Sequence, residues 1–172
     1  RRPSGRSRAM ERVAYLGYAT PPLAFALALV FFSLRAVPAL YQTLALLVGA
    51  YALHFLAEAI GPVRSALYQA PPRLEEAARA LGRGPIRAFA ETTLPLLRRG
   101  LGASAALVFL SSLKELPLTY LLSPLGFDSL AVGMWGAASE ALFGIAAPYG
   151  LAIIGVSLAL VALLLRSEAD RD

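Results

Sequence analysis

The sequence predicts an all-α transmembrane chain on three observations: an apolar content beyond the needs of a soluble core, four apolar stretches of membrane-crossing length, and basic residues gathered between those stretches. Hydrophobic residues make up 58% of the 172 positions and the mean hydropathy is +0.62, well above the ordinary composition of a soluble domain. A bilayer core needs about 20 apolar residues at 1.5 Å of rise each. Residues 15–34, 39–60, 94–122 and 149–165 meet that length or come near it. No cysteine is present, so disulfides and thiolate metal sites are excluded.

The first stretch, 15–34, is the simplest. The second, 39–60, carries His54 and Glu58, four residues apart and so on one helix face. The pair is a weak metal-ligand candidate; a hydrogen bond within the membrane is the preferred reading, because two residues do not complete a coordination sphere. His54 is the only histidine, with no zinc-protease spacing around it.

Residues 61–93 form a charged loop punctuated by Gly and Pro. Leu74, Ala77, Ala78 and Leu81 recur at i, i+3, i+4 and i+7, one apolar stripe, while Glu75 and Arg79 stand four apart. Pro71-Pro72 precedes this helix, its early carboxylates Glu75 and Glu76 suit the helix dipole, and Gly82 stands where a left-handed cap would end it. Gly84-Pro85 then starts a second short helix, with Pro85 at its first position. The stripe fits a groove on a partner protein or the headgroup layer of a membrane. Pattern alone does not separate the two.

The third stretch, 94–122, is long and interrupted by Lys114, Glu115 and Pro117. Lys114 lies some fourteen residues beyond Gly100, about 21 Å of helix, in the outer half of the bilayer. A charge there is costly against lipid and belongs against protein or water. Lys114, Glu115 and Pro117 are therefore candidates for a substrate path, against a structural pair near the outer interface; Pro117 favours a kink. Residues 123–148 contain a short apolar segment with Gly133, Trp135, Gly136 and Glu140, expected to be an outer-side re-entrant or interfacial element with Trp135 as its anchor. The fourth crossing is expected at 149–165.

The basic residues orient the chain. Arg1, Arg2, Arg6, Arg8 and Arg12 open it; Arg64, Arg73, Arg79, Arg83, Arg87, Arg98 and Arg99 lie in or beside the central loop; Arg166 and Arg171 close it; only Arg35 and Lys114 fall on the other side. The excess of positive charge inside places both termini and the loop in the cytoplasm. A net charge of +5 does not make a nucleic-acid binder here, because the arginines sit between apolar spans without interleaved aromatic platforms.

The order Glu76-Ala77-Ala78, three residues, Gly82, nine residues, Thr92, one residue, Leu94-Pro95 resembles the signature loop of the membrane subunits of binding-protein-dependent ATP-driven (ABC) importers; Thr92 stands where that family usually has Ile. The resemblance implies a type I importer permease core, covering about Tyr15 to Arg166 and lacking at least one helix upstream. A chain that opens on Arg1 rather than Met is expected to be a truncated sequence or the back part of a longer one. The resemblance makes the loop a coupling helix, with Glu76, Ala77, Ala78 and Gly82 docking in a cytoplasmic ATPase subunit. No Gly-rich phosphate loop is present, so ATP is expected to be used by that partner, with no catalytic residue and no cofactor on this chain. A periplasmic binding protein, a second permease half or copy, and the bilayer of a bacterial inner membrane are the other implied partners.

Lys114-Glu115-Leu116-Pro117, Gly126-Phe127-Asp128-Ser129-Leu130-Ala131 and Ala138-Ser139-Glu140-Ala141-Leu142-Phe143 further resemble the C-terminal half of ferric iron permeases. Ferric iron is the implied cargo. Thiamine, sulfate, molybdate, polyamine and phosphonate importers are related branches, and 123–148 would face the binding protein. The alternative from another class is a secondary transporter or channel component driven by ion gradients, using Lys114, Glu115, His54 and Glu58 as a relay.

Overall fold

A computed structural model describes residue 12 and residues 14–169, with side chains up to 166; Arg1, Arg2, Arg6, Arg8 and Arg171, which entered the charge count, lie outside the described residues. The described chain is all-α, without a strand. Among the described residues three helical runs are long and apolar enough to cross a membrane: Leu44–Gln69, Pro85–Leu113 and Phe143–Arg166.

The stretch expected as the first crossing is built in two pieces. Residues 14–19 are helical, the chain bends at Thr20, and helix α1 follows over Pro22–Ala36. Two consecutive prolines explain the break, since neither supplies an N–H, while Pro22 is well placed at the start of a new helix. The Thr20 hydroxyl turns back to the Leu16 carbonyl at 2.8 Å. A 3₁₀ turn, Pro38–Leu40, and Gln42 in the left-handed region (φ 54°) lead into α2, Leu44–Gln69. Helix α2 runs on through Gly61 and Pro62, so the loop expected from residue 61 begins nine residues later, at Ala70.

Beyond it come α3 (Pro72–Ala80), α4 (Pro85–Ala88), a π-helical turn (Phe89–Thr93) and α5 (Leu94–Leu113). The last three are one continuous helical run. The expected second loop helix is thus the opening of the third span. Pro95 accounts for the π turn: its ring crowds the carbonyl of Glu91, and the wider turn just before it relieves that clash. The run ends at Leu113, and α6 (Pro117–Leu122), α7 (Leu130–Ser139) and α8 (Phe143–Ala169) complete the chain.

The described residues form two compact units: residues 58–108, and the residues before 58 together with those from 109 onward. In the second of these, Ala26 of α1, Leu47 and Ala50 of α2, and Leu118 and Leu122 of α6 make the buried core, with Phe25, Leu29, Val30, Leu46, Tyr51 and Leu121 packed around it. Helix α7, capped by the Ser129 hydroxyl on the Val132 N–H at 3.2 Å, lies along α8. There a Cβ at Gly133 would come within 2.8 Å of the Tyr149 ring. In the unit 58–108, Gly100 of α5 lets its backbone meet α2: a Cβ there would stand 2.6 Å from the Ala66 Cβ and 2.7 Å from the Pro62 carbonyl. Ser104 donates to the Ala59 carbonyl at 2.6 Å on the same seam.

Candidate functional site

The loop motif folds as a single capped helix. Gly82 takes φ +82°, its N–H bonds the Arg79 carbonyl at 3.0 Å, and the Arg83 N–H reaches back to Ala78 at 3.1 Å. That pair of bonds is a Schellman cap, and its left-handed residue is the one where glycine avoids a Cβ clash. Gly84 and Pro85 then open α4 as the spacing predicts.

Two attachments that the sequence did not reveal hold this loop. The Thr93 hydroxyl, 1% exposed, donates to the Glu75 carboxylate, which ties α3 to the π turn. Glu91 accepts from Arg87 at 2.7 Å and lies 3.4 Å from Arg83, so the turn after Gly82 is bound to the same segment. What the loop leaves outside is apolar: Leu81 is 84% and Ile86 85% exposed, and Leu74 is exposed as well. Ala77 is exposed and Ala78 half-buried. Leu74, Ala77 and Leu81 of the expected stripe are thus exposed, and Ile86 is a further exposed apolar residue on α4.

At the far end of α5 the chain leaves helical geometry over residues 114–116. Lys114 is exposed and Glu115 buried. The Glu115 Oε1 accepts the Leu118 N–H at 3.1 Å and its backbone carbonyl accepts the Thr119 hydroxyl at 2.9 Å. Thr119, fully buried, also pairs with the Tyr51 hydroxyl of α2. Pro117 occupies the first turn of α6, where no N–H is needed. Sequence reasoning missed Tyr51 and Thr119, since a lone Tyr and Thr in apolar helices carry no spacing signal.

His54 is 4% exposed and lies among rings: Phe25 at 5.7 Å, Phe55 at 5.1 Å and Tyr18 at 6.3 Å between centroids. Its Nδ1 has no hydrogen-bond partner among the described residues. Among those residues no three His, Cys, Asp or Glu side chains gather as a metal site.

Residues 1–169 match the family model described as binding-protein-dependent transport system inner membrane component. The chain belongs to that family. It is a family of inner-membrane transport components, not of enzymes, and the all-α chain with its membrane-length helices fits the permease fold. The chain is also similar to the Fe(3+)-transport system permease protein FbpB 2 of Haemophilus influenzae, with 37% identity over 145 residues, which is 84% of this chain and 29% of that protein. It thus spans about three tenths of the length of that relative. The loop helix ends in the Gly82 cap with Leu74, Leu81 and Ile86 exposed, and the break at 114–116 places one exposed and one buried charge between apolar helices.

Proposed function

We propose that this chain is part of the permease of an ATP-driven importer of ferric iron, which takes its cargo from a periplasmic binding protein and passes it to the cytoplasm by alternating access. ATP is hydrolysed by a separate cytoplasmic subunit. The observation that carries this is exposed apolar surface: Leu74, Leu81 and Ile86 are exposed on the loop that bears Glu76, Ala77, Ala78 and Gly82. Exposed leucine and isoleucine on a charged loop are consistent with a surface that a partner covers, and the family supplies the expectation of which partner. Ferric iron rests on the name of the Haemophilus influenzae relative and on the resemblance of the segments from Lys114 to Phe143 to ferric iron permeases.

In this arrangement residues 14–36 form the first crossing, the three long helices the others, and both termini lie in the cytoplasm with the loop 70–93. Movement of the ATPase reaches the transmembrane region through the continuous run Pro85–Leu113, which begins in the loop and ends beside Lys114. A second permease half or copy completes the gate. The break that carries Lys114, Glu115 and Pro117 stands on the cargo path, its exposed Lys114 toward the cargo and its buried Glu115 holding the backbone, and Trp135 with α7 on the side of the binding protein.

The test is purification and reconstitution of the whole permease. Retention of an ATPase subunit, lost on changing Leu81 and Ile86 to Asp, and ATP-dependent uptake of radiolabelled ferric iron are expected. Uptake driven by an ion gradient without any ATPase would overturn the proposal.

A further inference from the structure

We propose that the cargo passes the break between α5 and α6 as an anion-coordinated ferric species engaged by the Lys114 ammonium, while Glu115, Thr119 and Tyr51 are positioning residues that shape the break and do not ligate the metal. This rests on the importer reading above. Its basis is the division of labour between two adjacent charges. The Glu115 carboxylate is buried and holds the Leu118 N–H at 3.1 Å. That N–H is the first donor of α6, because Pro117 before it has none, and it would otherwise be an orphan inside an apolar core. The Glu115 carbonyl receives the Thr119 hydroxyl, and Thr119 in turn meets Tyr51. Thus the acidic group is engaged by the fold.

A bare ferric ion would need several oxygen or nitrogen ligands to replace its hydration shell. Among the described residues no group of three His, Cys, Asp or Glu is available anywhere. Lys114 is exposed at the same break, and no ion pair of its ammonium occurs among the described residues. An ammonium has three donors and no acceptor, so it repels a cation and attracts an oxyanion. A positive charge in a span is tolerated where it faces water or a counter-charge. The chemistry that satisfies both groups as they stand is a cargo whose outer surface is carboxylate or phosphate oxygen.

The experiment is double-label uptake by the full transporter, with its ATPase and binding protein, in proteoliposomes. Radiolabelled ferric iron is supplied either with labelled citrate or with labelled inorganic phosphate. One of the two anions should enter with the iron in an ATP-dependent manner, and which one enters identifies the source. Lys114→Met should lower uptake by about tenfold or more, the loss of one charged contact, with Lys114→Arg recovering most of it. Glu115→Gln should keep most of the uptake, because its amide oxygen still accepts the Leu118 N–H, whereas Glu115→Leu should not. Thr119→Val should raise the KM for the iron species, and Thr119→Ser should restore it. Insertion and ATPase retention are followed in every variant, and each variant that inserts is scored. Iron entering without either anion, or Glu115→Gln failing while Lys114→Met transports normally, would overturn the inference and leave the importer reading intact. Normal uptake by both Lys114→Met and Glu115→Gln would overturn it equally. A wild-type transporter that takes up no iron with ATP would overturn the ferric-iron reading and this inference together.

Discussion

The Thr93 hydroxyl donates to the Glu75 carboxylate, and this bond joins the capped loop helix to the π turn that opens the long helical run. Thr93 is buried, and a hydrogen bond to a charged acceptor contributes about 1.5–3 kcal/mol. Thr93→Val keeps the shape and removes the donor. It is expected to lower the thermal stability of the detergent-purified permease and to weaken stimulation of ATP hydrolysis by loaded binding protein. Unchanged stability and stimulation would show that the bond does not tie the loop.

Gly82 is the next point of sensitivity. At φ +82° a β-branched residue is strained by about 1–2 kcal/mol, so Gly82→Val is expected to distort the cap. Asn tolerates the left-handed region better. Uptake should therefore fall in Gly82→Val and recover in large part in Gly82→Asn. Equal activity in the two would remove the cap from the coupling route.

The Gly100 contact offers a clean pair of variants on one helix. A Cβ at Gly100 meets the Pro62 carbonyl and the Ala66 Cβ below 3.0 Å, whereas one at Gly102 meets nothing within 4 Å. Backbone cannot yield as a flexible side chain can. Gly100→Ala should destabilise by about 1–3 kcal/mol and Gly102→Ala should stabilise by up to about 1 kcal/mol. Reversible unfolding in mixed micelles reads both. The reverse order would mean that the helices do not meet at Gly100.

The orientation is open to direct labelling, since the sequence has no cysteine of its own. Cysteine at Arg79 should react with an impermeant reagent only when the cytoplasmic face is opened, and cysteine at Ser129 from the periplasmic face of intact cells. Labelling of both from the same face would sink the assignment of the loop to the ATPase side.

Much of this was legible in the residues. The spacing of Glu76, Ala77, Ala78 and Gly82 carried the resemblance to the family, and the left-handed glycine and the Pro85 helix start follow from local chemistry alone, because a missing Cβ or a missing N–H acts within one turn. Three of the four apolar stretches overlap the membrane-length helices Leu44–Gln69, Pro85–Leu113 and Phe143–Arg166, whose ends the apolar pattern did not mark. At 20–22 two prolines broke a stretch of unbroken hydropathy, and past Ile60 the helix ran on through Gly61 and Pro62. A hydropathy window senses polarity and is blind to backbone donors.

What the sequence by itself determined, then, is the kind of chain this is: apolar helices joined by a basic, glycine-capped loop of the importer family. The fold alone decided which of two adjacent charges is free. Lys114 and Glu115 are equivalent interruptions in a linear reading, yet Glu115 is turned inward to the first N–H of α6, and Thr119 and Tyr51 close around it. That outcome depends on where α1, α2 and α6 bury Leu118 and Leu122. Packing brings together residues almost seventy positions apart, and no local pattern encodes such a meeting.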